Sequence, residues 1–466
     1  MKPIRPIDPV ISFKNSQGDA ARGTLTNIQR RSLVMEVYNP YSIVQVSEVL
    51  SDLTIRAGAE QIIYQGKAFI NGLVNTGLMA IVSVTLIDEW SEFHAIHQDL
   101  DRVKAEAQSF VQEWEARFKV NRDYQIVVGE MRSYLAETAR WVDQAELSGT
   151  LPRGTDGKLR EDVFYDLGLP IMEKGKAYFY NFEEQAALVN EESSAIHRAY
   201  AQQNLHPLLM RSPFIHRTYT KPLGYAGDYE MVNQIISEPR QGPNAYFQMI
   251  NTVFLNNAVS QAHRNRIDIL QKKLTDLVTT EPNQKIKILN VACGPALEVQ
   301  RLLKASPDAN KYEFTLLDFS DVTLNYTKQQ LDAIIRERKL TTKITYVQES
   351  VHQLLKRSSN RTLSRDIDDV YDMVYCAGLF DYLSDKVCTR LMEYFSEKIN
   401  PNGRILVTNV HSENPEKNIM EHLLEWHLIY RNEKSFDGIL PKNKSHVEIY
   451  KDATGINIFA EYSIPA

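Results

Sequence analysis

Cysteine is almost absent: three residues, Cys293, Cys376 and Cys388, in a chain of 466. Their spacing forms no pair suited to zinc or to a disulfide framework, so no metal site is expected and a reducing compartment suits the chain. Charge of one sign is not in excess either. A net charge of −6 with 24% charged residues supplies no basic field for nucleic acid or an anionic membrane surface. Long apolar runs are missing too. The longest, Leu73–Ile87, is interrupted by Asn75, Thr76, Gly77 and Ser83, too polar and too short for a bilayer. The opening MKPIRPIDPVISF has prolines and Asp8 where a signal peptide needs an apolar core. These absences leave a cytoplasmic protein of about three domains, on a prior of roughly 150 residues each.

What is present is most informative at Ile286–Gln300, IKILNVACGPALEVQ. Ile286, Ile288, Leu289 and Val291 suit a strand covered on both faces. Cys293-Gly294-Pro295 makes a sharp turn, and Ala296 to Gln300 resumes as a helix. A second apolar strand, Phe314–Leu317, ends in Asp318, 24 residues after Gly294. A strand–turn–helix–strand unit closing in a carboxylate is how doubly wound α/β folds hold an adenosine group: the backbone approaches the ligand and the acid accepts from the ribose hydroxyls. A dinucleotide fingerprint wants three glycines, and only Gly294 is there. Pro295 and Glu298 add bulk and negative charge where a diphosphate would dock. A ribose-bearing cofactor without phosphate fits better, and S-adenosylmethionine is one.

On these residues the segment resembles motif I of class I S-adenosylmethionine-dependent methyltransferases, with Asn290 in place of the usual acid and Ala292 and Ala296 in place of the outer glycines. The resemblance continues to the C-terminus. Lys343–Gln348 reads as a third strand, with Glu349-Ser350-Val351 where this superfamily contacts adenine. Tyr371–Ala377 is a fourth strand, Asp385–Asn400 a helix, Arg404–Val410 a fifth strand, and His446–Lys451 with Ile456–Tyr462 a closing hairpin. The implied fold is an α/β Rossmann-like methyltransferase domain: a parallel sheet with a C-terminal antiparallel hairpin, preceded by a small β-barrel and a helical region. The implied donor contacts are Ala292, Gly294, Pro295, Asp318, Phe319, Ser350, Val351, Cys376 and Ala377.

Four segments follow from the patterning: a barrel over 1–88, a helical region over 89–212, a helical cap over 213–284, and the catalytic domain over 285–466. Alternation in Ser32–Tyr38 and Gln61–Phe69 marks the barrel. Val103, Ala107, Phe110, Val111, Trp114 and Phe118 recur at helical steps. The barrel with Arg30-Arg31 resembles a PilZ domain, a family in which arginines on an N-terminal arm grip cyclic di-GMP. The family's second motif is missing around Tyr41–Gln45. The plainer reading makes the barrel a docking or homodimerisation surface and the arginines a solvated pair.

Pro213–Tyr229, PFIHRTYTKPLGYAGDY, is dense in aromatic, basic and turn residues. With GLFDYL (Gly378–Leu383) and Glu425–Arg431 it resembles a bacterial methyltransferase group labelled 3-hydroxypalmitic acid methyl ester biosynthesis. That resemblance implies methyl transfer to a carboxylate of a small or fatty-acyl substrate, giving an ester. His427, Asp381 and Tyr225 are the catalytic candidates, the first two as bases if the acceptor carries a proton. Arg217, Asp228, Tyr382, Tyr430 and Arg431 are the substrate candidates, the arginines as carboxylate forks. Each has a structural alternative: Asp228 or Asp381 as a helix cap, and His427 with Arg431 as a surface pair on one helix face. Two further readings stay open: a cofactor-binding or cyclic-dinucleotide-responsive regulator without turnover, and a nicotinamide enzyme, against which the missing glycines argue.

Overall fold

The computed structural model describes residues 10–15, 18, 20–28, 31–37, 44–57, 61–75, 80–88, 108, 111, 119–278, 284–359 and 370–465. Strands β1 (Val10–Lys14), β2 (Ala20–Ile28), β3 (Ser32–Val37), β4 (Val49–Ala57), β5 (Gln61–Asn75) and β6 (Ala80–Leu86) form a closed barrel in the order β1-β2-β3-β6-β5-β4. Period-two burial builds it. In β3, Leu33, Met35 and Val37 point inward to meet Ile11, Leu53, Ile55, Val82 and Val84. Closure leaves no unpaired edge. Arg30, Tyr41 and the helical positions Val103, Ala107, Phe110, Trp114 and Phe118 lie outside the described residues. Arg31 is exposed and sits at the entry to β3, where its carbonyl accepts from Leu86 N–H at 2.8 Å. It therefore stands on a hairpin connection and not on an arm preceding the barrel, which removes the geometry the cyclic di-GMP expectation relied on.

Among the described residues, seven helices follow: α1 (Arg122–Leu147), α2 (Glu161–Ala186), α3 (Glu191–Leu209), α4 (Pro213–Thr220), α5 (Tyr229–Ile236), α6 (Ala245–Leu255) and α7 (Ala258–Thr275). Asparagine caps open α3, α6 and α7, where Asn190, Asn244 and Asn257 accept from the amide three residues on. The packing does not divide at residue 212. One apolar cluster joins Tyr124 and Phe182 to Phe214, Phe254, Trp426 and Ile456.

The C-terminal part alternates: β7 (Ile286–Val291), α8 (Leu297–Ala305), β8 (Tyr312–Asp318), α9 (Asp321–Arg338), β9 (Lys343–Gln348), α10 (Val351–Ser359), β10 (Tyr371–Cys376), α11 (Asp385–Lys398), β11 (Ile399–Val410), α12 (Lys417–Leu424), α13 (Glu433–Gly438), β12 (Ser445–Lys451) and β13 (Asn457–Ser463). The sheet order is β12-β13-β11-β10-β7-β8-β9. β9, β8, β7, β10 and β11 run parallel, and β13 inserts antiparallel between β11 and β12. The central strands are apolar on both faces because helices cover both. Chain order reverses direction at β7, next to β10, and that switch point is where such sheets open a crevice at their carboxyl ends.

One expected element is absent. Glu425–Arg431 is not a helix. α12 ends at Leu424, Glu425 takes a left-handed cap conformation (φ 47°), and the chain runs on as an irregular strap to a bridge between Arg431 and His411.

Candidate functional site

The crevice at the switch point begins in the turn after β7. Ala292, Gly294 and Ala296 are all left-handed, with φ of 58°, 53° and 48°. Glycine adopts this region freely, whereas each alanine costs on the order of 1–2 kcal/mol there. The strain is held by fixed partners. Cys293 N–H donates to Leu317 O at 3.0 Å, the Gln300 side chain to Pro295 O at 2.7 Å, and Thr327 Oγ1 to Gly294 O at 2.7 Å. A Cβ added at Gly294 would meet nothing within 4 Å, because that side of the turn faces the open crevice.

Asp318 closes β8 directly opposite. Its Oδ2 accepts the Gly294 N–H at 3.1 Å and its Oδ1 the Ser320 N–H at 3.0 Å. The residue is 4% exposed. Burial pushes its carboxyl up to about 6, against the pull of the backbone amides. A carboxylate with remaining lone pairs beside a bare backbone edge suits a vicinal diol.

The floor carries charge that the sequence reading did not assign. Asn290 Nδ2 donates to Glu298 Oε1 at 3.2 Å and to Tyr375 Oη at 2.9 Å, and Tyr375 Oη donates to Glu298 Oε1 at 2.7 Å. An acid missing from position 290 thus reappears one helical entry later, and burial raises its carboxyl. Arg266 on α7 also lines the crevice, 8% exposed, and makes no hydrogen bond among the described residues. Its guanidinium lies against Gly378 (φ 90°), where an added Cβ would come within 3.0 Å of Nη1. Asp381 and Glu298 act on its charge from within the protein, and its N–H groups are left without hydrogen-bond acceptors among the described residues. One turn earlier, His263 Nδ1 donates to Val259 O at 3.0 Å, leaving Nε2 as the lone-pair nitrogen; burial pushes the ring down to about 3, so it stays neutral. Both residues stand on the apolar stripe of α7 with Val259, Ala262, Ile267 and Leu270, and a charged residue on such a stripe was the available signal.

Of the residues predicted from sequence, Ala292, Gly294, Pro295, Asp318, Phe319 and Ala377 line the crevice, as do Tyr225, Asp381 and Tyr382. Tyr225 hangs from the turn between α4 and α5, 5.4 Å from the Phe319 ring, and burial raises its hydroxyl well above 10. Asp381 accepts Val410 N–H at 2.6 Å; burial raises its carboxyl, and Arg266 opposes that. Tyr382 Oη accepts the Trp426 indole N–H at 3.0 Å.

The others do not line it. Ser350 Oγ caps α10 by accepting Gln353 N–H at 3.2 Å, and Val351 and Cys376 are core residues under the sheet. Asp228 is the N-cap of α5, accepting Met231 N–H at 2.9 Å, and it pairs with Arg217 at 2.8 Å, so both belong to the framework of the α4–α5 segment, the lid over the crevice. His427 sits behind the crevice wall with its Nε2 3.0 Å from Glu425 Oε2. Burial would raise Glu425, but Arg198 and His427 outweigh it and hold that carboxylate below the usual range. Tyr430 packs in the helical core. Arg431 is 2% exposed and fully engaged, donating to Phe380 O, Leu383 O, Asn409 Oδ1 and Asp385 Oδ1 at 2.6–3.0 Å. It ties β11, β10 and the strap together and has no donor left for a substrate. The helix that was to pair His427 with Arg431 does not exist, which is why neither faces the site. Among the described residues, no group of three His, Cys, Asp or Glu side chains could hold a metal ion, and no helix is long and apolar enough to cross a membrane.

No family model matches the chain, and no curated protein does. Similar solved structures include a Bordetella parapertussis protein described as a "possible exported protein" (12% identity, 74% of this chain and 96% of that one, TM-score 0.41). Others are the carbon methyltransferase CurJ (10%, 78% and 99%, 0.39) and magnesium protoporphyrin IX methyltransferase from Synechocystis PCC 6803 with bound SAH (11%, 45% and 87%, 0.33). At these scores the likeness carries no argument, and the site stands on its own geometry.

Two outcomes test this geometry. Arg431→Met leaves buried carbonyls unpaired, so it should lower stability by about 3 kcal/mol or more in urea unfolding. Because the folded carboxyl of Asp318 is raised, the stability it contributes below about pH 4 is lost as pH rises through about 6. The melting point of Asp318→Asn relative to wild type should therefore be higher at pH 8 than at pH 5; an unchanged difference would show that Asp318 is not desolvated.

Proposed function

We propose that the chain is an S-adenosylmethionine-dependent methyltransferase whose donor lies across the carboxyl ends of β7, β8 and β10. The observation that carries this is the Asp318 carboxylate bonded to the Gly294 amide beside an open, left-handed turn. The ribose hydroxyls would donate to Asp318, and the donor's α-carboxylate would pair with Arg266. A dinucleotide is disfavoured: its diphosphate at the start of α8 would meet Glu298 and Asp318, both buried acids.

Bound S-adenosylmethionine supplies a methyl group on a sulfonium, open to in-line displacement. The chain's part is to hold an acceptor atom about 3 Å from that carbon and in line with the leaving sulfur. Tyr225 and Tyr382, with Trp426 and Leu428 of the strap, wall the acceptor side and exclude water. We read the acceptor as a carboxylate of a small or acyl molecule. Such a group is already ionised and needs no base, and His263 and Asp381, two ionisable groups that line the crevice, are poorly suited to be one. His263 is held neutral with a weakly basic ring, and Asp381 spends one oxygen on Val410 N–H.

Donor binding has a signed pH dependence. Ribose hydroxyls bond best to the ionised carboxylate, so S-adenosylhomocysteine affinity measured by calorimetry should weaken as pH falls through about 6, and Asp318→Asn should lose about 100-fold and flatten the profile. For turnover, methyl-labelled S-adenosylmethionine is incubated with the protein and a cell extract. Label released as methanol by mild alkali is expected of an ester; alkali-stable label would contradict the carboxylate acceptor, and no label with intact donor binding would favour a regulator.

A further inference from the structure

The barrel is not a separate module beside the enzyme. Its connection between β3 and β4 reaches the crevice, and Gln45 lines it. Around that position the connection is held through Ser47, Glu48 and Val49. Glu48, 1% exposed, accepts Gln45 N–H through Oε2 at 2.8 Å. Ser47 is left-handed (φ 65°), and its N–H donates to Ile70 O at 2.7 Å inside the barrel. Its hydroxyl donates to His427 O at 2.7 Å and accepts His427 N–H, so it grips the strap that carries Trp426 and Leu428. Val49 N–H donates to Gly224 O at 3.0 Å, next to Tyr225. Lys221 of the lid lies 4.2 Å from the Phe69 ring centroid. The barrel thus holds both walls of the acceptor side.

Gln45 is 9% exposed, and its carboxamide makes no hydrogen bond among the described residues. A carboxamide of a crevice-lining residue with no protein partner is open to a hydrogen bond with a bound molecule. Ser47 and Val49, two and four residues on, bond to the strap and to the turn that carries Tyr225, so Gln45 lies against these two walls. We propose that Gln45 is a specificity-determining residue of the acceptor subsite, its carboxamide N–H donating to an oxygen of the acceptor carboxylate, so that the barrel supplies part of the substrate site. This rests on the methyltransferase reading.

Two variants and the wild type separate this proposal from the methyltransferase reading. Wild type, Gln45→Ala and Gln45→Glu are titrated with S-adenosylhomocysteine, then assayed for label transfer over a dilution series of the same cell extract. Donor affinity should agree within twofold across all three. Half-saturating extract concentration should rise about tenfold for Gln45→Ala, the loss of one hydrogen bond to a charged group. Gln45→Glu keeps the size but sets a carboxylate against a carboxylate, so its rise should be larger still. Transfer by Gln45→Ala equal to wild type would overturn the proposal, and so would a tenfold loss of donor affinity, which would move Gln45 to the donor side. Gln45→Glu outperforming Gln45→Ala would overturn the anionic acceptor. Failure of wild type to bind S-adenosylhomocysteine sinks the methyltransferase reading itself, and that outcome is read before any variant is compared.

Discussion

The contact between the Asp318 carboxylate and the Gly294 amide organises this molecule. It crosses from the tip of β8 to the turn after β7, the point where the sheet's order reverses. Through it a strained turn with two left-handed alanines is fixed to the sheet, and a carboxylate is held dehydrated at the crevice edge. Neither would persist alone. The alanines cost strain and the acid costs desolvation, so each needs the rigidity the other lends. Such costs accumulate where a ligand recovers them.

Around that corner the rest of the chain builds walls. α7 lays Arg266 and His263 across the floor, the turn between α4 and α5 lowers Tyr225 over it, and the strap after α12 brings Trp426 to Tyr382. Behind the strap, Arg198, Gln202 and His427 converge on Glu425. The helices before and after residue 212 share one core, so the lid is anchored by the whole helical layer and, through Ser47 and Val49, by the barrel.

How much of this the sequence carried depended on range. The strands Lys343–Gln348 and Tyr371–Cys376 and the turn at Gly294 were legible because both their periodicity and their turn chemistry are local. Asp318 was legible because its distance along the chain from the turn is set by one helix and one strand. Glu425–Arg431 was misread as a helix; Glu425 is left-handed and ends α12, and its carboxylate is held by Arg198, a contact far away in sequence that no local pattern encodes. Arg431 looked like a substrate fork and is instead a tie among carbonyls. Gln45 and Arg266 were missed for the same reason: their roles come from elements far away in sequence meeting at one opening.

A crystal structure with S-adenosylhomocysteine bound tests the central claim most directly. Both ribose hydroxyls are expected within hydrogen-bond distance of Asp318 Oδ1 or Oδ2, the methionyl carboxylate on Arg266, and the sulfur facing Tyr225 and Tyr382. Density for the nucleoside elsewhere, or an Asp318 carboxylate turned away from the ribose with the Gly294 contact intact, would contradict it.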